Sequence, residues 1–316
     1  MSVPVAAADF SADIAVYPID NFQIGSSETN FGTLQYVAGF AMTSNNRNFG
    51  ALSSIRMLDD SGTKFAAVAD TGFFITGAIK RDSSLKPVGM SNLMFQELPD
   101  AQGQISNSKW EVDSESLVIS NGSAIIGFER IHRLSVIPFD GVMLGKTTSS
   151  LDFIVPIGEL RGNRGFETLA QSPVGSPLGG ALVAVSEKSI DKAGNIFAAI
   201  LNGPEKGVFK IARSDEFDIT DGDFLPNGDL VILERSFSMA RGVRMRLRQI
   251  PATALKAGAI VEGEILLEAN MGNQIDNMEG LDIWQASDGT LRFSLISDDN
   301  KSLLQRNLYL EFALEN

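Results

Sequence analysis

Short apolar runs come in pairs along this chain, each pair joined by a polar turn and closed by an acidic residue. Leu52 to Leu58 turns at Asp60-Ser61-Gly62 into Phe65 to Ala69 and stops at Asp70. Leu117 to Ser120 turns at Asn121-Gly122 into Ala124 to Phe128 and meets Glu129. A longer Gly-rich loop joins Thr168-Leu169 to Ala181–Val185, which runs into Ser186-Glu187. The run near Asp223-Phe224-Leu225 turns at Asn227-Gly228 and ends at Glu234. Glu279 to Trp284 turns at Asp288-Gly289 into Leu291 to Ser297 and ends at Asp298. Runs of this length bounded by Asn-Gly or Asp-Gly signals predict β-hairpins. Val208–Ala212, Arg244–Ile250 and Leu308–Leu314 read as further strands, and only Pro251 to Lys256 suggests a helical turn.

The closing acids are separated by 59, 58, 47 and 64 residues. That spacing suits one four-stranded propeller blade plus its loops. The expected fold is therefore all-β, a β-propeller with five to six four-stranded blades around a central channel. Five units can be counted; a sixth would have to lie in residues 1–45 or in the longer connections. The strand around Leu34–Met42 is expected to complete the last blade and so close the ring.

Three hairpins also begin with an acid, in Glu115-Ser116-Leu117, Glu167-Thr168-Leu169 and Glu279-Gly280-Leu281. Gly50-Ala51-Leu52-Ser53 and Asp223-Phe224-Leu225 are looser relatives. In a propeller the innermost strand starts at one mouth of the channel and the next strand returns there. The leading glutamates and the closing acids should then meet at one face, looking into a polar, water-filled channel.

Composition narrows the chemistry. The net charge of −13 argues against a nucleic-acid surface, which needs Lys and Arg to neutralise phosphates. With no cysteine and one histidine, disulfides and zinc sites built from Cys and His are excluded. No apolar run reaches the ~18 residues of a membrane span. The start, MSVPVAAADF, lacks a basic n-region and a full apolar h-region but contains Ala6-Ala7-Ala8, as a signal cleavage site would. Residues 1–20 are read as an N-terminal tail or export-signal remnant, and residues 21–316 as a single domain expected to act as a monomer.

Converging carboxylates without a histidine shell suit a hard cation. Glu279, Glu167, Asp70, Glu115, Glu187, Asp298, Glu129 and Glu234 are the candidate ligands, with Ca2+ preferred because it takes 6–8 oxygens flexibly and Mg2+ second. Strand capping and arginine pairing are the competing uses of the same acids. Arg164, Arg130 and Arg235 are candidates to bind the substrate through a guanidinium fork, which equally suits a structural ion pair. Adjacent strand residues face opposite ways, so only one of Glu129 and Arg130, and one of Glu234 and Arg235, should face the channel. His132 is either a general base or a packed histidine. No G-x-S-x-G elbow, P-loop, dinucleotide fingerprint or H-E-x-x-H is present.

Several phrases resemble the phytase-like family, also called esterase-like activity of phytase: FGALSSIRM with FAAVADTG, GFERIHRLSVIPF, NRGFETLA, DGDFLPNGDLVILERSF, and NMEGLDI with SLISDDN. They span about residues 45–310. The resemblance implies a propeller related to the alkaline phytases, which bind calcium and hydrolyse phosphomonoesters. It implies a periplasmic or secreted protein with calcium at acidic positions, and it assigns no catalytic residue. The expected function is calcium-dependent hydrolysis of a small phosphate ester. A lactonase- or esterase-type propeller, or a non-catalytic ligand- or protein-binding propeller, is the alternative.

Overall fold

A computed structural model describes residues 14–106, 108–160 and 165–314. Three strands come first: β1 (Ile14–Ile19), β2 (Asn30–Phe31) and β3 (Leu34–Ser44). Blade one is β4 (Leu52–Met57), β5 (Lys64–Ala69), β6 (Phe73–Arg81) and β7 (Pro87–Glu97). After the one-turn helix α1 (Lys109–Val112), blade two is β8 (Ser114–Ser120), β9 (Ser123–Phe128), β10 (Arg133–Pro138) and β11 (Ser149–Leu151). Blade three is β12 (Phe166–Gln171), β13 (Leu182–Ile190), β14 (Ile196–Ile200) and β15 (Gly207–Ile211). Blade four is β16 (Asp218–Phe224), β17 (Leu230–Ser238) and β18 (Gly242–Ile250); β19 (Ile260–Val261) then flanks blade three before β20 (Glu264–Ala269) completes blade four. β21 (Met278–Gln285), β22 (Leu291–Ser297) and β23 (Asn307–Leu314) make blade five, whose fourth strand is β3.

The ring has five blades. Residues 14–44 extend blade five rather than building a sixth, because β3 pairs antiparallel with β23 and β1 with β3. Residues 14–19, inside the stretch expected as a tail, are thus the strand β1; residues 1–13 lie outside the described residues. Each expected hairpin is present. At Asn121-Gly122 both residues have positive φ, 49° and 71°, as a two-residue turn between right-twisted strands requires.

The near-continuous apolar runs follow from packing on two sides. In β17, Leu230 and Ile232 join the cluster shared with blade three, whereas Val231 and Leu233 join the cluster shared with blade five. In β5, Phe65, Ala67 and Ala69 face blade five, and Ala66 and Val68 face blade two. Strand period two thus feeds two cores at once. Five such clusters fill the five gaps between blades.

The inner strands touch one another in the closed order β4, β8, β12, β16, β21 and back to β4. Hydroxyls stitch neighbours together: Ser116 Oγ donates to Phe166 O at 2.8 Å, and Thr220 Oγ1 to Met278 O at 3.0 Å. The axis is not a water-filled channel along its whole length. Arg56 on β4 pairs in fork geometry with Asp221 on β16, both contacts at 3.1 Å. The same guanidinium donates to Leu281 O on β21 at 2.7 Å and to Leu169 O on β12 at 3.0 Å. Strand β12 is not a neighbour of β4, so the side chain must cross the axis to reach it. Asp221 also accepts from Ser54 Oγ and from the backbone N–H of Leu281 and Gly222. The polar groups of this plug are therefore mutually satisfied, as buried charge requires.

Arg56→Met would leave Asp221 buried without its cation, and it is expected to cost about 3–5 kcal/mol of unfolding free energy. The urea midpoint measures this; an unchanged midpoint would show that the cross-axis pair does not hold the ring.

Candidate functional site

A strand buried on both faces has no side suited to a carboxylate, and a bulge supplies one. Each inner strand carries an irregularity at the same place, between Leu52 and Ser54, Ser114 and Ser116, Phe166 and Thr168, Ile219 and Asp221, and Met278 and Gly280. The extra residues are Ser53, Glu115, Glu167, Thr220 and Glu279. A bulge re-aims its extra side chain away from the pleat, which explains how a glutamate precedes a core leucine without entering the core.

The returning strand supplies a second tier. Opposite the residue before each bulge stand Ala69, Phe128, Ser186, Glu234 and Ser297. The next residues along are Asp70, Glu129, Glu187, Arg235 and Asp298. Four of their N–H groups repeat one bond, donating to Ala51 O at 3.0 Å, Asp113 O at 2.8 Å, Gly165 O at 3.0 Å and Asn277 O at 2.9 Å. Both tiers therefore lie at one mouth of the ring. The structure gathers seven of the eight predicted acids there.

Glu234 is the exception. It lies one residue before the tier position and is fully buried, gripped by Arg246 Nε at 2.6 Å and Arg248 Nη2 at 2.7 Å. Arg235 takes its place in the tier. Its Nη2 lies 3.2 Å from Glu279 Oε1 and 3.5 Å from Glu187 Oε1, and its Nη1 donates to Asn277 Oδ1. In blade two the acid faces inward instead. Arg130 adopts a left-handed φ of 51°, bonds Asp113 Oδ2 at 2.5 Å and lies 4.9 Å over the Trp110 ring. His132 is half-buried beside Glu129, where a Cβ on Gly165 would meet its Nδ1 at 2.9 Å. Arg164 lies outside the described residues.

Two residues escaped the sequence reading. Asp113 and Asn277 stand two positions before Glu115 and Glu279, an offset the repeat itself carries. Asn277 Nδ2 donates to Glu279 Oε1 at 2.8 Å. Asp113, Glu115 and Glu129 each place a carboxylate oxygen within 4.8 Å of the other two. Asp113 Oδ1 and Asp70 Oδ1 are buried without a hydrogen-bond donor. Lys109 Nζ neutralises the other side of Asp70, bonding Oδ2 at 2.5 Å. Among the described residues no cation forms an ion pair with Glu115 or Glu167. Arg130 bonds Asp113 Oδ2 and Lys109 Nζ lies 3.9 Å from Asp113 Oδ1, but the oxygens of Glu115 have no such counterion among the described residues, and an all-oxygen donor set of this kind suits a hard divalent cation.

Crowded burial makes these acids reluctant to ionise. Glu115 and Glu167 are raised well above the ordinary carboxylate range, by burial first and then by neighbouring carboxylates. Burial pushes Glu129 and Asp298 up to about 7 and Glu279 to about 8, although Arg235 opposes the shift at Glu279. Asp70 is raised by burial despite Lys109.

Beside the ring a cleft of about 1160 Å³ opens between the loops of blades four and five. It shares Glu187, Arg235 and Asn277 with the ring. Phe237, Val243, Met271, Ile275 and Leu304 form its apolar wall.

The raised acids set a direction for stability without metal. Unfolded carboxyls ionise near about 4, whereas Glu129, Asp298 and Glu279 keep protons to about 7 or 8 in the fold. Between those limits the native state binds more protons than the unfolded chain, so stability is fullest below about pH 4 from this source and falls as pH rises to 8. In chelator, the urea midpoint of wild type relative to a Glu129→Gln/Glu279→Gln/Asp298→Asn variant is expected to fall from pH 5 to pH 8. A wild-type midpoint that holds or rises relative to the variant contradicts the crowding.

Comparison with known proteins bears on fold and family. No curated protein matches the chain. Among solved structures, the endo-arabinase of Bacteroides thetaiotaomicron superposes with a TM-score of 0.51 at 13% identity, covering 83% of this chain and 93% of that one. The glutaminyl cyclase of Myxococcus xanthus gives 0.44 at 10% identity, covering 90% and 97%. A thermostable family-43 glycoside hydrolase gives 0.44 at 10%, covering 83% and 89%. At such identities the likeness concerns the fold alone. The phytase-like family, described as esterase-like activity of phytase, matches residues 47–301. That match takes in every strand of the first four blades and both tiers of the acidic mouth, and the chain belongs to the phytase-like family.

Proposed function

We propose that the acidic mouth is the active site of a calcium-dependent hydrolase of small esters, phosphate esters first. The observation that carries this reading is the Asp113, Glu115 and Glu129 cluster, in which Asp113 Oδ1 is buried without a donor, as is Oδ1 of Asp70 outside the cluster. Membership of a family described by an esterase-like activity supports the reaction class. Asp113, Glu115 and Glu129 would hold the ion, with Asp70, Glu167, Glu187, Glu279 and Asp298 around them. When bound, calcium supplies an electrophilic centre for an ester oxygen and lowers the pKa of water at the site.

The chain's own groups divide the remaining work. Glu279, which burial raises to about 8 in the metal-free protein, is the acid suited to carry a proton beside the ion. Its Oε1 accepts from Asn277 and faces Arg235, so the proton belongs on Oε2, from which it can pass to a leaving alkoxide. The Nε–H of Arg235 is buried without an acceptor and suits an anionic substrate oxygen. A calcium site of this kind suits a calcium-rich compartment, the periplasm or the cell exterior.

The test is hydrolysis of p-nitrophenyl phosphate and a simple lactone, assayed side by side. Chelator is expected to abolish turnover and calcium to restore it. Glu115→Gln should lower kcat/KM by about 10–100-fold, as losses at metal-supporting residues do, while the protein stays folded. Full activity in excess chelator removes the ion from the reaction. Turnover of the lactone alone moves the substrate to carboxylic esters, and turnover of neither leaves a binding platform.

A further inference from the structure

The cleft beside the ring is too large for a single phosphate or acetyl group; at about 1160 Å³ it reaches the upper range of small-molecule pockets. Its charges are already spent on one another. Lys188 and Arg213 both pair with Asp218 at 2.7 Å. Arg306 lies 3.5 Å from Asp276 and also donates to Gln274 Oε1 and Ile275 O, each at 2.9 Å. Glu216 faces Arg241 at 3.5 Å, and Arg235 lies between Glu187 and Glu279. With four acids and four bases lining the cleft, the wall is neutral overall, and the Nε–H of Arg235 at its inner end offers a donor to one anionic oxygen beside the ring rather than to a polyanion.

The apolar groups are the ones left without partners. Phe237 is 72% exposed, Met271 61% and Leu304 92%, although all three line one concave surface. Leu303 and Met239, fully exposed, follow or flank them in the same loops. Apolar area held in water around a concavity is characteristic of a surface that something covers. The covering group must be compatible with neutral walls at the outer end and with Glu187, Arg235 and Asn277 at the inner end.

We propose that this cleft takes an uncharged, largely apolar alkyl or aryl group of the ester substrate, with the ester itself at the ring. The proposal rests on the hydrolase reading, and it names the substrate class as esters of apolar alcohols or acids rather than polyphosphorylated polyols. The decisive contact is hydrophobic. Each methylene buried contributes about fourfold to kcat/KM until the cleft is filled.

The experiment compares alkyl phosphates from methyl to octyl, p-nitrophenyl esters from acetate to octanoate, and inositol hexakisphosphate. It uses wild type, Met271→Asp and Leu304→Asp. Binding of the uncharged fluorescent probe N-phenyl-1-naphthylamine is measured on the same proteins. Expected are a rise in kcat/KM of at least tenfold from the shortest to the longest chain and a collapse of that ratio in both variants. The probe should bind wild type and weaken at least fivefold in the variants. Turnover with no chain-length dependence, or a preference for the hexakisphosphate, overturns the proposal and leaves the hydrolase intact. If no ester is turned over, the hydrolase reading falls and the probe alone decides. Binding lost in the variants then supports an apolar ligand site, and binding unaffected or absent overturns it.

Discussion

The constraint on which this structure depends is that a blade packed on both faces leaves no dry side for charge. Strand period two sends alternate residues of β5, β13, β17 and β22 into two different apolar gaps, so a charged residue anywhere along their middles would be desolvated. Ionisable groups are largely displaced to the ends of strands, to the axis or to the rim, and those that stay mid-blade, such as Glu234 with Arg246 and Arg248, are buried as ion pairs. The five bulges turn that displacement into a pattern, placing one extra side chain per blade at a common height. Acids accumulate at the mouth because it is where the two-sided packing stops.

The axis shows the opposite solution. Arg56 and Asp221 are deep and nearly inaccessible, but each charge has its counterpart, and backbone groups of Leu281 and Leu169 bond the pair. The mouth above them is not satisfied in this way. Its acids outnumber Arg235, Lys109 and Arg130, and burial rather than pairing dominates their ionisation. One ring therefore contains a buried Arg56–Asp221 pair on its axis, with Asp223 and Asp282 raised beside it, and a bowl with excess negative charge at its mouth. The first gives rigidity; the second gives a place where a proton or a cation changes the energy.

Much of this was legible from residues alone. Asn-Gly and Asp-Gly turns between apolar runs marked the hairpins, and the leading and closing acids marked the mouth, because both signals are local. The slip from Glu234 to Arg235 has a plain cause. Neighbouring residues on a strand face opposite sides, and nothing local says where a bulge shifts the count. Asp113 was hidden because it contributes from the residue before β8, and only pairing with Glu129 brings it to the others. Nothing local marks Arg56, because its role needs β12, β16 and β21 in place. The cleft is still less visible in sequence, since Met271, Phe237 and Leu304 come from three separate loops or strand ends.

The seam of blade five joins the earliest described strands to the last. Leu34 pairs with Leu314 and Met42 with Asn307, so nearly the whole chain lies between partners. Contacts of such sequence separation form slowly, because closing a long loop comes before any reward. During synthesis β3 leaves the ribosome long before β23 exists. Blades one to four can assemble while β3 is still an unpaired edge, exposed to other chains. Asn277, Glu279 and Asp298 belong to the segment made last, so the mouth gains its final wall only when the seam zips. Nascent molecules are thus spared a complete acidic trap until the fold is finished, at the cost of an open edge until then.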